Sequence, residues 1–289
     1  MSSPRPPGAL PTPKAHDPVP TLLRDLIHER TGIHFDSDRL DTMMEKLEPR
    51  AAARNCESYL DYYYILKYDK HAIDEWRRVM DAFSVQETYF WREVDQIHAL
   101  TGQVVPAHFL ASPLPLRIWS AACATGEEPY SIVMALREAG WGHHPIEVYA
   151  SDASDAALAK ARACVYRERS FRTLPPALRE KYFEHRGETY HLNNDIASKV
   201  TFHWDNLVNL QNSTRVMHAD VIFCRNVFIY FSASTIQRVV GSFARRMSAG
   251  SHLFVGASES LLKLTEDFDL LEMKGTFAYV RNHHPAKHV

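Results

Sequence analysis

Four short stretches hold residue types able to handle a small charged molecule, and each follows an apolar run of strand length. The run 116–119 leads into Ser120-Ala121-Ala122-Cys123-Ala124-Thr125-Gly126-Glu127-Glu128. Small side chains let a ligand approach the backbone, and a helix starting there offers unpaired N–H groups. A tight turn that packs helix on strand would use the same residues. The stretch contains neither G-x-G-x-x-G nor G-x-x-x-x-G-K-[ST], which removes the main support for a dinucleotide or P-loop site. The run 147–151 ends in Asp152, an acidic residue that can accept both hydroxyl hydrogens of a ribose or cap the following helix. Residues 200–204 lead to Asp205-Asn206-Leu207. Residues 221–224 lead to Arg225-Asn226-Val227-Phe228-Ile229-Tyr230-Phe231, which sets a cation, an amide and a phenol at one strand end. Arg and Asn buried there as mere structure would be costly without partners, so the pattern points to function. Upstream, Gln86-Glu87-Thr88-Tyr89-Phe90-Trp91-Arg92-Glu93 carries a guanidinium suited to a carboxylate. The aromatic residues around it also suit simple packing.

Other candidate chemistry fails on spacing. Gly256-Ala257-Ser258-Glu259-Ser260 approaches the esterase elbow G-x-S-x-G but ends in Ser. The pairs His143-His144 and His283-His284 lack the i, i+4 spacing of a helical metal site and read as solvated surface, so no metal is expected. Cys56, Cys123, Cys164 and Cys224 form no C-x-x-C pair, which disfavours a zinc knuckle or a disulfide framework and suits a reducing compartment.

The elements that must position these residues follow from periodicity. Strand and helix patterns alternate after about residue 115, which predicts a mainly parallel sheet covered by helices on both faces. In such a sheet, ligands bind beyond the carboxyl ends of the strands. Residues 166–199 break the rhythm with Pro175-Pro176 and Asn193-Asn194-Asp195, and read as an insertion. From Thr21 to about Phe83 the apolar spacing is helical throughout: Leu22, Leu23, Leu26 and Ile27, then Leu40, Met43, Met44 and Leu47 behind a cap at Ser37 or Asp36, then a helix capped by Ser58, then Ile73, Trp76, Met80 and Phe83. The Met pair reads as core. Residues 1–20 hold seven of the 16 prolines and read as a disordered tail. The 289-residue chain has a formal net charge of −2, which argues against a broad nucleic-acid binder. No apolar run reaches membrane-spanning length and no secretory leader is seen, so a cytoplasmic protein is expected.

Taken together, the stretches QETYFWRE (86–93), RIWSAACATGEEPYSI (117–132), VYASDASDAALAKARACVY (148–166), DNL (205–207), DVIFCRNVFIYF (220–231) and LFVGASESL (253–261) resemble the chemotaxis receptor glutamate O-methyltransferase family of the CheR type. The resemblance implies an α/β fold: a doubly wound, mostly parallel methyltransferase sheet with an inserted small antiparallel β-subdomain, preceded by an all-α domain. The implied division is a tail 1–20, a helical domain 21–84, a linker with connecting helices 85–115 and a methyltransferase domain 116–289, with the β-subdomain at about 166–199. It also implies S-adenosylmethionine as methyl donor and S-adenosylhomocysteine as product. Carried over residue by residue, the donor contacts are Gln86, Thr88, Arg92, Glu128, Asp152, Asn206, Leu207, Arg225 and Asn226. Arg92, Arg225 and Tyr230 are expected to orient the acceptor carboxylate and the donor. The implied partners are the cytoplasmic helices of methyl-accepting chemoreceptors.

This chain departs from the family pattern in three places. Gln86 stands where the family usually has Asn, and Ala257 where it often has His. The helix 38–54, expected to meet the receptor, balances four basic side chains against four acidic ones, and residues 21–90 hold 10 basic against 14 acidic. Charge steering by this domain is therefore weaker than in the family at large. Two other readings stay open: the same donor with a different signalling-protein acceptor, or a non-catalytic module that senses the donor or its product.

Overall fold

In the computed structural model, residues 17–212 and 218–282 are described. Contacts divide the chain into two units, one running to Ser84 and taking in Tyr230–Ser232, the other comprising Val85–Ile229 and the chain from Ala233 onward.

The apolar positions of the first unit fall on the inward faces of four helices: α1 (Val19–Thr31), α2 (Leu40–Ala53), α3 (Tyr59–Tyr68) and α4 (Ile73–Phe83). Leu23, Ile27, Met43, Leu47, Tyr62 and Val79 are fully buried together, and Met44 is nearly so. Each such side chain contributes roughly 1.5–3 kcal/mol. One buried carboxylate is built into this core. Glu75 accepts both arms of the Arg50 guanidinium (3.1 and 2.8 Å) and the Tyr62 hydroxyl (2.7 Å). Burial and this carboxylate raise the Tyr62 pKa. Ser58 caps α3 in a reciprocal capping box with Asp61.

Two local expectations change. Helix α1 begins at Val19, inside the stretch 1–20 assigned to a tail. Proline in a helix's first turn loses no intrahelical bond, and the Val19 amide finds the Asp17 carboxylate at 2.9 Å. Residues 1–16, like His283-His284, lie outside the described residues. Neither Ser37 nor Asp36 caps α2. A 3-10 turn over Ser37–Arg39 precedes it, and Arg39 occupies the cap position without a side-chain bond.

The second unit opens with α5 (Val94–Ala99), a π-helical turn (Leu100–Val104) and α6 (Val105–Ala111). There follow β1 (Leu116–Ala121), α7 (Glu127–Glu138), β2 (Ile146–Asp152) and α8 (Asp155–Ala163). The insertion contains β3 (Val165–Tyr166), α9 (Pro176–Tyr182), β4 (Phe183–Arg186), β5 (Thr189–Leu192) and α10 (Asn194–Ala197). The chain then forms β6 (Val200–Trp204), β7 (Val221–Cys224), α11 (Ala233–Ala244), β8 (His252–Val255), β9 (Phe268–Met273) and β10 (Thr276–Arg281). The main sheet has the order β6-β2-β1-β7-β8-β10-β9. Its first five strands are parallel, and β10 runs antiparallel to both neighbours. The insertion is a separate antiparallel sheet, β3-β5-β4. The linker's Phe90, fully buried, sits within 5.3 Å of the Phe171, Phe183 and Tyr166 rings, so its role is packing within this unit.

Candidate functional site

From β1 the chain moves outward through β2 to β6, then returns to β7 on the other side of β1. The crevice at this reversal lies outside the carboxyl ends of β1 and β7, where open α/β sheets bind ligands. Ser120, Asp152 and Arg225 sit at three neighbouring strand ends there.

Arg225 is the most constrained of the expected site residues. Its Nε donates to Glu128 Oε2 (2.7 Å), Nη1 to Gln96 Oε1 (3.2 Å) and the Glu93 carbonyl (3.3 Å), and Nη2 to the Arg92 carbonyl (2.8 Å). Its side chain is 2% exposed and that of Glu128 11%. A guanidinium so fully engaged holds a structure rather than reaching for an acceptor. Glu128 in turn accepts from Ser120 Oγ at 2.7 Å, tying β1 to α7. Gln96, 5% exposed, also donates to the Val255 carbonyl at 2.7 Å. The linker is thereby strapped across the carboxyl ends of β7 and β8, and Arg92 stands on that strap. The Arg92 guanidinium donates to the Glu87 carbonyl (3.0 Å) and lies 5.5 Å from the Tyr89 ring, with 23% of the side chain exposed.

Asn226 adopts φ 59°, a conformation non-glycine residues rarely take, and its side-chain amide donates to Glu93 Oε1 at 3.2 Å. A carboxylate not singled out from the sequence fixes its backbone. Glu259 Oε2 accepts from the amides of Gly256 (2.7 Å) and Asn226 (2.9 Å), and Oε1 from those of Phe228 (2.7 Å) and Ile229 (3.3 Å). Glycine at 256 is required by this approach: an added Cβ would lie 2.7 Å from Asn226 Nδ2 and 2.8 Å from Glu259 Oε2. Glu93 completes the set by accepting from the Ala257 amide at 3.1 Å. The failed elbow motif is thus a loop built around Glu259.

On the other side of the crevice, Asp152 Oδ2 accepts from the Ala124 amide (2.9 Å) and Oδ1 from the Ser154 amide (2.8 Å). The cap of α8 is Ser154, whose hydroxyl accepts from Ala157. The cap alternative for Asp152 therefore falls. Its carboxylate is instead oriented against the β1 turn, with one lone pair on each oxygen engaged by these amides. That turn is contorted: Ala122 and Ala124 take φ 64° and 47°, and Gly126 takes 93°. Beyond β6, the Asn206 side-chain oxygen accepts from the Val208 amide (3.1 Å) and Leu207 is buried.

Gln86 and Thr88 line a cleft of about 470 Å³ together with Thr125, Glu127 and several cations. Gln86 Oε1 accepts from Lys160 at 2.7 Å, so its longer arm is spent on a lysine. Glu127, 3% exposed, accepts from Thr125 Oγ1 (2.6 Å) and Ser170 Oγ (3.1 Å), and burial raises its pKa. Tyr230 belongs to the other unit, where its carbonyl accepts from the His34 amide. The structure thus brings Glu128, Arg225, Asn226 and the Arg92 backbone into one network and aligns Asp152 with the β1 turn. Glu93, Gln96 and Glu259 were missed. Glu93 and Glu259 carried no sequence signal beyond membership of the quoted runs, and Gln96 lies outside them.

Burial drives the Cys123 and Cys224 thiols well above their ordinary range, which disfavours thiolate chemistry. No group of three or more His, Cys, Asp or Glu able to hold a metal occurs among the described residues, and none of their helices is long and apolar enough to cross a membrane.

The residues present fit S-adenosylmethionine. Asp152 stands at the strand end where a ribose diol would be held, and small side chains line the β1 turn beside it. Fold and site define an S-adenosylmethionine-dependent methyltransferase. More narrowly, the chain belongs to the CheR methyltransferase family: residues 86–277 match its SAM-binding domain and residues 21–84 its all-alpha domain. It is 34% identical over 268 residues to chemotaxis protein methyltransferase 2 of Vibrio cholerae, covering 90% of this chain and 91% of that one. The chemotaxis protein methyltransferase of Klebsiella aerogenes is 32% identical over 254 residues, 86% of this chain and 85% of that one. A probable biofilm formation methyltransferase, WspC, of Pseudomonas putida is 32% identical over 260 residues, 89% of this chain and 60% of that one.

Proposed function

We propose that this methyltransferase esterifies glutamate side chains in the cytoplasmic helices of chemoreceptors, and that it works in the cytoplasm. The observation carrying the acceptor assignment is the similarity to chemotaxis methyltransferases across both domains. The chemistry agrees. S-adenosylmethionine supplies an electrophilic methyl group, and a glutamate carboxylate, with a free pKa of about 4.3, is already a nucleophile at neutral pH. No general base is needed, and catalysis rests on alignment and exclusion of water.

Asp152 holds the ribose hydroxyls and Asn206 and Leu207 flank the adenine. Gln86, Thr88, Glu128 and Asn226 complete the donor site. Arg92, with its partly exposed guanidinium, and Tyr230 orient the acceptor carboxylate. Arg225 is reassigned: with its donors engaged by Glu128, Gln96 and the linker carbonyls, it is a positioning residue. It does not touch the acceptor. Arg92→Ala and Tyr230→Phe should each lower turnover at saturating donor. Unchanged turnover in both would refute the assignment.

A second reading keeps the donor and changes the acceptor to another signalling protein. The similarity to the Pseudomonas putida biofilm methyltransferase favours keeping it. Parallel assays on chemoreceptor fragments and on other candidate acceptors separate the two.

A further inference from the structure

The helical unit is poorly equipped to attract an anionic partner. Of the basic side chains on and beside α2, Arg50 is locked to buried Glu75, Arg54 pairs with Asp69 at 3.6 Å and Lys46 lies over the Phe83 ring, while Arg39 is exposed. Residues 21–90 carry more acid than base. The second unit has the opposite character in one place. Between Lys160 and Arg172 there are five basic residues and one acidic one. The acidic one, Glu168, is engaged by Arg179 and Tyr190.

Lys160, Arg167, Arg169 and Arg172 all line the 470 Å³ cleft that also holds Gln86 and Thr88. Two of the four are committed: Lys160 to Gln86, and Arg172 to Glu87 with its guanidinium 3.9 Å from the Tyr89 ring. The guanidinium groups of Arg167 and Arg169 make no hydrogen bond or ion pair among the described residues, and both residues are exposed. Of the cleft's own carboxylates, Glu87 is taken by Arg172, and Glu127 is buried and accepts from Thr125 and Ser170.

We propose that the cleft edged by Arg167 and Arg169 docks an acidic segment of the protein acceptor. This rests on the glutamate-acceptor reading, in which the substrate is itself an anion. An uncommitted pair of guanidinium groups on a concave surface attracts carboxylates and pairs with them in bidentate geometry. The site lies in the methyltransferase domain, and its contribution is to acceptor affinity. The cleft shares Gln86 and Thr88 with the proposed donor site, so the docked segment lies beside the donor.

The test uses the full chain with Arg167→Gln and Arg169→Gln together, against a control bearing Lys199→Gln and Lys274→Gln, two exposed lysines outside the cleft. Binding of a fluorescein-labelled decaglutamate peptide is read by anisotropy and needs no catalysis. Two exposed ion pairs predict a Kd weaker by about three- to tenfold in the cleft variant, with the control near wild type and the wild-type affinity falling as salt rises. Equal losses in both variants, or no binding to wild type, overturn the proposal. With labelled donor and a purified chemoreceptor cytoplasmic fragment, KM for the fragment rises by the same factor in the cleft variant while kcat and donor Kd hold. Peptide binding without methylation of the fragment by wild type would sink the acceptor assignment and leave the cleft standing.

Discussion

Replacing Glu259 with Gln tests whether the crevice is organised by a single carboxylate. All four groups facing that carboxylate are backbone N–H donors, two at each oxygen, at 2.7–3.3 Å. An amide retains one acceptor oxygen and turns an NH2 toward the other two donors, whichever way it flips. A hydrogen bond to a charged partner has a net value of about 1.5–3 kcal/mol. Losing two at the lower bound costs about 3 kcal/mol, before any repulsion between facing donors. Asn226, at φ 59°, and the residues leading to Tyr230 would relax with it. Urea unfolding of Glu259→Gln is expected to show this loss, and turnover is expected to fall by on the order of tenfold to a hundredfold, the usual consequence of a displacement near 1 Å. Stability within about 0.5 kcal/mol of wild type, the range of ordinary surface substitutions, together with unchanged turnover, would refute the reasoning.

Three further outcomes are expected. Arg225→Lys keeps the charge but not the planar fork, and leaves the linker carbonyls and Gln96 without their donor; it should cost about 3 kcal/mol in unfolding free energy and weaken donor binding measured by calorimetry. Asp152→Asn sets an NH2 against the Ala124 or Ser154 amide and removes one acceptor for the ribose; donor Kd should rise at least tenfold, roughly the value of one hydrogen bond to a charged group. For Glu127 the sign follows from burial. The folded state favours its proton, so its contribution is most favourable below the free value of 4.5 and is lost as pH rises through the raised folded value. Glu127→Gln should therefore gain melting temperature relative to wild type as pH rises from 4.5 toward 7, as read by scanning calorimetry.

Much of this was legible because periodicity and strand-end chemistry are local. The five parallel strands, the four N-terminal helices, the Ser58 cap and the core Met43 and Met44 all announce themselves within a few residues. The terminal hairpin β9–β10 did not, because Phe268–Met273 does not alternate and holds four adjacent exposed positions. The site divides the same way. Asp152 stands out by its position after a strand. Glu259 does not, since its four donors come from two loops some thirty residues apart in sequence. Arg225 was found by its type, but its partners were not legible: that Glu128, Gln96 and the linker backbone engage its donors depends on a fold that brings residues more than ninety positions apart into contact.

The account is tested most directly by incubating the purified protein with methyl-labelled S-adenosylmethionine and chemoreceptor cytoplasmic fragments, then treating the product with base. Label on the receptor that is released as methanol, as a glutamate methyl ester requires, is the predicted result. Donor binding with no base-labile label on the receptor would contradict it.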